Sequence, residues 1–244
     1  MLTSPTAAAD RLTDGPRATL CMVIALVLAC AAHRAEADQA GALAQRMLDR
    51  LGGSEAWAQL KNTVNGSQQN RAGDPTVVHA IISMDFERPR FRIETTAPGL
   101  YLLRVIDGPD NSWRIRRTGA LEQVPPERYA EEMAWYQAHL YRTLHRIAAG
   151  DDALSLRMNT DGRLEVYTGD QRLVWFRLDA KAEPYAFGAY DNDLGSLTGP
   201  WDFVRDGIHH PRWVSSPDGT WRAMVKSLQV NVTLHDSLFT QPAE

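Results

Sequence analysis

The chain carries seven histidines, thirty acidic residues and two cysteines, and their spacing decides what chemistry they could do. His209 and His210 are adjacent. On a strand, neighbouring side chains point to opposite faces, so this pair cannot share a metal there, and a place at a turn or strand start is expected. His139 and His145 are six apart in a helical stretch and fall on different faces, which is not the geometry of a His-Glu-x-x-His zinc site. His79 and His235 read as solvent-facing strand residues. Asp191, Asn192 and Asp193 before Gly195 begin like a calcium loop but lack the later acidic ligand that completes one. Asp151-Asp152 follows a helix end and should cap the next turn. Ser196, in Leu194-Gly195-Ser196-Leu197-Thr198-Gly199, stands directly after a glycine rather than at the centre of Gly-x-Ser-x-Gly. Glycine-rich phosphate loops are absent. No catalytic residue, no metal ligand and no cofactor is expected.

Both cysteines, Cys21 and Cys30, lie near the N-terminus, so thiol catalysis and Cys-bound metal are excluded from everything after residue 30. Residues 1–17 are polar with Arg11 and Arg17. Ala18 to Ala32 is an apolar run shorter than the ~20 residues that span a membrane, and Ala35-Glu36-Ala37 offers a small-x-small cleavage site. These features read as a secretory signal peptide over residues 1–37. Leu26-Val27-Leu28-Ala29-Cys30 also resembles a bacterial lipobox, with Cys30 as the candidate for lipidation. A soluble periplasmic protein and a lipid-anchored envelope protein therefore both remain open. Membrane contact is expected only through that lipid or through a partner.

Hydrophobic content of 44% and charged content of 23% are ordinary for a globular domain, and a net charge of −4 does not suit a nucleic-acid binder. One domain over residues 38–244 is expected. Gln39 to Leu51 places Leu43, Met47, Leu48 and Leu51 on one helical face, with Gly52-Gly53 as the stop. Ser54 then caps a short helix, Glu55 to Lys61, that buries Trp57 and Leu60. From Thr63 the period becomes two. In Val77 to Phe86 the residues Val78, Ala80, Ile82, Met84 and Phe86 share a face, and short strands follow through Arg117 with Gly, Pro, Asn and Asp at the turns. Pro126 to Ala149 carries Tyr129, Met133, Tyr136, Leu140, Leu144 and Ile147 as one apolar stripe, which predicts a single long helix packed on the sheet. Strands resume at Leu154 and end in a hairpin of Trp213 to Ser215 and Trp221 to Leu234, expected to finish the edge of a curved sheet.

Leu51-Gly52-Gly53-Ser54-Glu55-Ala56-Trp57 with Leu60, Asp206-Gly207-Ile208 with Pro211, Asn231-Val232, and Leu238-Phe239 with Pro242 resemble the bacterial outer-membrane lipoprotein carrier and receptor (LolA/LolB-like) superfamily, over about residues 39–242. The resemblance implies an α+β fold: a strongly curved antiparallel sheet, an unclosed β-barrel, with helices covering its concave face. It also implies a cavity between sheet and helices that takes acyl chains or other apolar ligands. No arginine matches the one that holds the helical cover in the carrier, and Arg92, Arg104 and Arg177 are expected to point outward.

The expected function is that of an exported, non-enzymatic carrier for a lipid, acyl chain or lipoprotein. The other possibility is an envelope sensor or scaffold that binds a protein and no ligand. The candidates to line the cavity are Ile82, Met84, Phe86, Phe91, Ile93, Leu103, Trp113, Met133, Tyr136, Leu140 and Trp175. Of six tryptophans that could serve a greasy site, namely Trp113, Trp135, Trp175, Trp201, Trp213 and Trp221, Trp135 lies off the helical stripe and is expected near a rim.

Overall fold

A computed structural model describes residues 36–242. The Cys30 motif and the leader reading up to residue 35 fall outside them; Glu36 and Ala37 of the expected cleavage site begin the first helix. Residues 36–50 are helical (α1), with Ala40, Ala44, Met47 and Leu48 turned into the core as the 3–4 spacing requires. A second helix, α2 (Ser54–Ala58), follows the Gly-Gly stop. Its N-cap is Gly53 and no side chain caps it; Ser54 Oγ instead accepts from Gln45 Nε2 at 2.7 Å. The expected Ser54 cap is therefore replaced by a tie to α1.

The sheet strands of the first half are β1 (Asn62–Arg71), β2 (Asp74–Asp85), β3 (Arg90–Ala97), β4 (Leu100–Ile106), β5 (Trp113–Ile115) and β6 (Leu121–Gln123). Helices α3 (Pro126–Gln137) and α4 (Leu140–Ala148) come next. The second half supplies β7 (Leu154–Met158), β8 (Leu164–Thr168), β9 (Gln171–Leu178), β10 (Pro184–Ala189) and β11 (Ser196–Thr198). A separate two-stranded ribbon, β12 (Phe203–Arg205) and β13 (Ile208–His210), precedes β14 (Trp213–Ser215) and β15 (Trp221–Val230). Thirteen strands form one antiparallel sheet in the order β6-β5-β4-β3-β2-β1-β15-β14-β11-β10-β9-β8-β7. The sheet is curved and unclosed, and the fold is α+β, with helices over the concave face.

Alternation sorts the side chains. Val78, Ala80, Ile82 and Met84 of β2 share the concave face with Phe91 and Ile93 of β3, which stand opposite Met84 and Ile82. Val174 and Phe176 of β9 and Leu164 and Val166 of β8 continue it at the far end. With α1, α2, Tyr136, Leu140, Tyr141 and Leu144 these residues, Val78 and Ala80 excepted, make the main core. A smaller cluster of Leu103, Val105, Trp113 and Phe239 occupies the outer face.

Two expectations are corrected here. The terminal hairpin does not finish an edge: β15 pairs with β1 in the middle of the sheet and joins the two halves. The edges are β6 and β7, and α3 and α4 are the link between them. Nor is Pro126 to Ala149 one helix. It breaks at Ala138-His139, where His139 takes an extended conformation (ψ 139°) and its Nδ1 accepts from Tyr141 N at 3.3 Å as the N-cap of α4. Five positions after Tyr136, Tyr141 would lie about 140° further round a regular helix. The break lets both tyrosines be buried.

Candidate functional site

Sheet and helices do not meet everywhere. Between α3, α4 and the central strands lies a cleft of about 640 Å3, partly open to solvent. Trp135, Ala138, Leu140 and Tyr141 form its helical wall. Opposite stand Phe187 and Ala189 of β10, Val214 of β14, and Trp221, Ala223 and Val225 of β15, with Ile82 alongside. The lining contains no lysine or arginine. Its single acidic residue, Glu131, is paired with Arg128 at 2.6 Å.

The floor is polar but uncharged. It is β1, whose concave-face residues Asn65, Ser67 and Gln69 line the cleft. At Gly66/Ser67 the β1–β15 register shifts by a bulge, which bends the strand at this point. Asn65 Nδ2 donates to the Tyr141 hydroxyl at 3.2 Å and lies 3.4 Å from His210 Nε2. His210 Nδ1 faces the Pro211 carbonyl oxygen, which can only accept, so the proton is assigned to Nδ1 and Nε2 is left to accept from Asn65. Asn65 Oδ1 is buried without a hydrogen-bond partner among the described residues. His139 stacks edge-on with Trp135 at 4.9 Å and lies 5.2 Å from the Tyr141 ring.

Burial disfavours charge on this group. It pushes the His139 pKa down to about 4. Burial, with a smaller effect from neighbouring His139, takes His210 to about 3 against the opposing pull of the Pro211 carbonyl. The Tyr141 hydroxyl is pushed up by burial. At neutral pH the floor is therefore a set of neutral hydrogen-bonding groups in an apolar surround, and no nucleophile, base and orienting acid come together there.

Of the cavity candidates read from sequence, Ile82 and Leu140 line the cleft. Met84, Phe86, Phe91 and Tyr136 are buried in the packed core beneath the helices, with Met133 packed against it. The Tyr136 hydroxyl donates to the Asp85 carbonyl at 2.6 Å, and burial raises its pKa to about 12. Ile93 lines a neighbouring groove with Leu103. Trp113 and Leu103 belong to the outer-face cluster, where Trp113 Nε1 donates to the Phe239 carbonyl at 3.0 Å. Trp175 is on the outer face too, donating to the Asn192 carbonyl at 3.0 Å. A Cβ on Gly188 or Gly195 would run into its ring. Among the tryptophans the cleft takes Trp135 and Trp221.

Arg104 does not point outward. It reaches the buried Glu132 of α3 at 3.0 Å, across the concave face. The residues that reasoning from sequence passed over are those of β1. Asn65, Ser67 and Gln69 are polar where a strand packed on a core would be apolar, and that breach of the alternating pattern was the available signal.

By sequence the chain matches no family profile and no curated protein. Among solved structures it is similar to a DUF1329 family protein from Desulfovibrio piger, with a TM-score of 0.40 and 12% identity over 84% of this chain and 97% of that one. At that distance the likeness bears on neither ligand nor partner.

Proposed function

We propose that the protein is a non-enzymatic binding or carrier protein for a hydrophobic ligand, whose alkyl part lies in the cleft between the curved sheet and helices α3 and α4. The observation that carries this reading is the cleft itself, about 640 Å3 with aromatic and aliphatic walls. That size falls within the roughly 300–1,000 Å3 of small-molecule sites. The binding energy would come from removing alkyl surface from water, about 0.8 kcal/mol per methylene. The neutral floor adds hydrogen bonds without asking the ligand to bury a charge beside it. The sequence resemblance to lipoprotein carriers and receptors agrees with this role, and the leader-like N-terminus agrees with work in the periplasm, free or tethered through Cys30.

A homologous series of n-alcohols from hexanol to dodecanol tests the reading, with Trp135 and Trp221 fluorescence as the readout. Affinity should rise about fourfold per added methylene and level off once the cleft is full. Trp135→Phe with Trp221→Phe should remove most of the fluorescence change and leave binding measurable by calorimetry. Absence of saturable binding along the whole series would refute the reading.

A further inference from the structure

On the other side of α3 from the apolar cleft is a second groove, of about 530 Å3. Its lining includes five arginines: Arg104 from β4, Arg114 from β5, Arg116 and Arg117 beyond it, and Arg128 from α3. The acids that reach them are fewer. Glu122 serves both Arg114 (3.2 Å) and Arg116 (2.6 Å), and Glu132 serves both Arg104 (3.0 Å) and Arg128 (3.2 Å). Arg128 also pairs with Glu131 at 2.6 Å. Arg117 is exposed and has no ion-pair partner among the described residues, and Arg104 Nε is buried without an acceptor. Guanidinium groups left with unused donors, arrayed on several elements around one groove, match the oxygens of a phosphate or a similar oxyanion.

Groove and cleft are neighbours on the concave face. Ile82, in the cleft, stands directly opposite Ile93, in the groove, on the concave face. A third depression shares Gln69 and Trp221 with the cleft and Thr95 and Arg117 with the groove. The cleft is lined by no cation and the groove by five with the one carboxylate of Glu132, so the two differ sharply in what they can accommodate.

We infer that the ligand is an anionic amphiphile, with its alkyl chain in the cleft and its oxyanion head, a phosphate in the first instance, among Arg104, Arg114, Arg116, Arg117 and Arg128. This rests on the binding role proposed above and adds the class of head group. Both phosphate lipids and free phosphate present the same oxygens, and only the former also fill the cleft.

Calorimetry with dodecyl phosphate, dodecanol and inorganic phosphate at pH 7.5 separates the cases. Dodecyl phosphate should bind at least tenfold more tightly than dodecanol at low ionic strength, and the gap should shrink as salt rises because the groove is solvent-accessible. The double variant Arg116→Gln/Arg117→Gln, made at two exposed positions, should abolish most of that gap while dodecanol affinity stays unchanged. Equal binding of dodecyl phosphate and dodecanol would overturn the head-group assignment and leave the hydrophobic-ligand reading intact. Inorganic phosphate binding as tightly as dodecyl phosphate would also overturn it, showing a free-anion site. Failure of both alkyl probes would remove the two readings together.

Discussion

His139 and His210 were legible as residues but not as neighbours. Spacing sets His139 apart from His145 and His209 apart from His210, yet nothing in the sequence brings a residue before α4 next to one at the end of β13. Tertiary packing does so, through Tyr141, whose ring lies 5.2 Å from each imidazole. Around the two rings stand Trp135, Tyr141, Asn65 and the Pro211 carbonyl, with Glu131 the one acidic group lining the same cleft. Both folded-state pKa values lie below the ordinary histidine value of 6.5, so the unfolded chain binds more protons in between. Their contribution to stability is full above about pH 6.5 and is lost as pH falls toward about 4 for His139 and about 3 for His210. His145, lowered by burial with the Trp57 carbonyl opposing, acts in the same sense. Lowered carboxylates such as Asp236, held by Arg90, give way only as pH falls below the usual carboxylate value of 3.8. Urea midpoints measured from pH 7 to 4.5 should therefore decline before the carboxylates titrate. His139→Gln with His210→Gln should flatten that decline; an unaltered slope would show that other groups set it.

Among the elements, the apolar helices and the strongly alternating strands followed from their periodicity, because each has one face that must leave water. Two features did not. The break at Ala138-His139 lacks a proline or glycine to announce it, and the apolar stripe runs through it uninterrupted, so the period alone predicts one helix. Strand β1, Asn-Thr-Val-Asn-Gly-Ser-Gln-Gln-Asn-Arg, is too polar to be read as a central strand; its place comes from pairing with β2 and β15 on either side. Helix α3 is held over the sheet by a few polar ties: Arg104 to Glu132 at 3.0 Å, Tyr136 to the Asp85 carbonyl, and the Tyr190 hydroxyl to the Ala134 carbonyl at 2.7 Å. Removing Arg104 leaves Glu132 buried with Arg128 as its remaining partner. Arg104→Ala should cost about 1–2 kcal/mol and speed amide hydrogen exchange in α3 more than in β8 or β9. Equal exchange in all three would mean that the tie is ornamental.

For the whole molecule, the sequence segments that pointed to a fold turn out to be its fasteners. A Cβ on Gly52 would overlap the Gly207 carbonyl oxygen, and His209 N donates to the Leu51 carbonyl at 3.0 Å, so the Gly-Gly stop and the Asp-Gly-Ile segment are seated against each other. Phe239 is buried under the outer face, with the Arg90 guanidinium 4.1 Å above its ring and Trp113 bonded to its carbonyl. Phe239→Ala should cost roughly 3–5 kcal/mol, the range for a buried aromatic, read as a shift in the denaturant midpoint with an unchanged slope. A loss below 1 kcal/mol would show the chain end to be dispensable. The β1–β15 seam has a kinetic consequence. Lys61 N donates to Asn231 Oδ1 across 170 residues of sequence, so β1, among the first strands made, waits for the last one before its second margin is covered. Contacts of such long range form slowly, because the loop must be closed before the pairing rewards it. Until then β1 is an open polar margin and the cleft lacks the wall that β15 provides. Completion of the cleft is thereby deferred to the final stage of folding, and a chain cut short before Trp221 would present a raw strand to its neighbours in place of a finished wall.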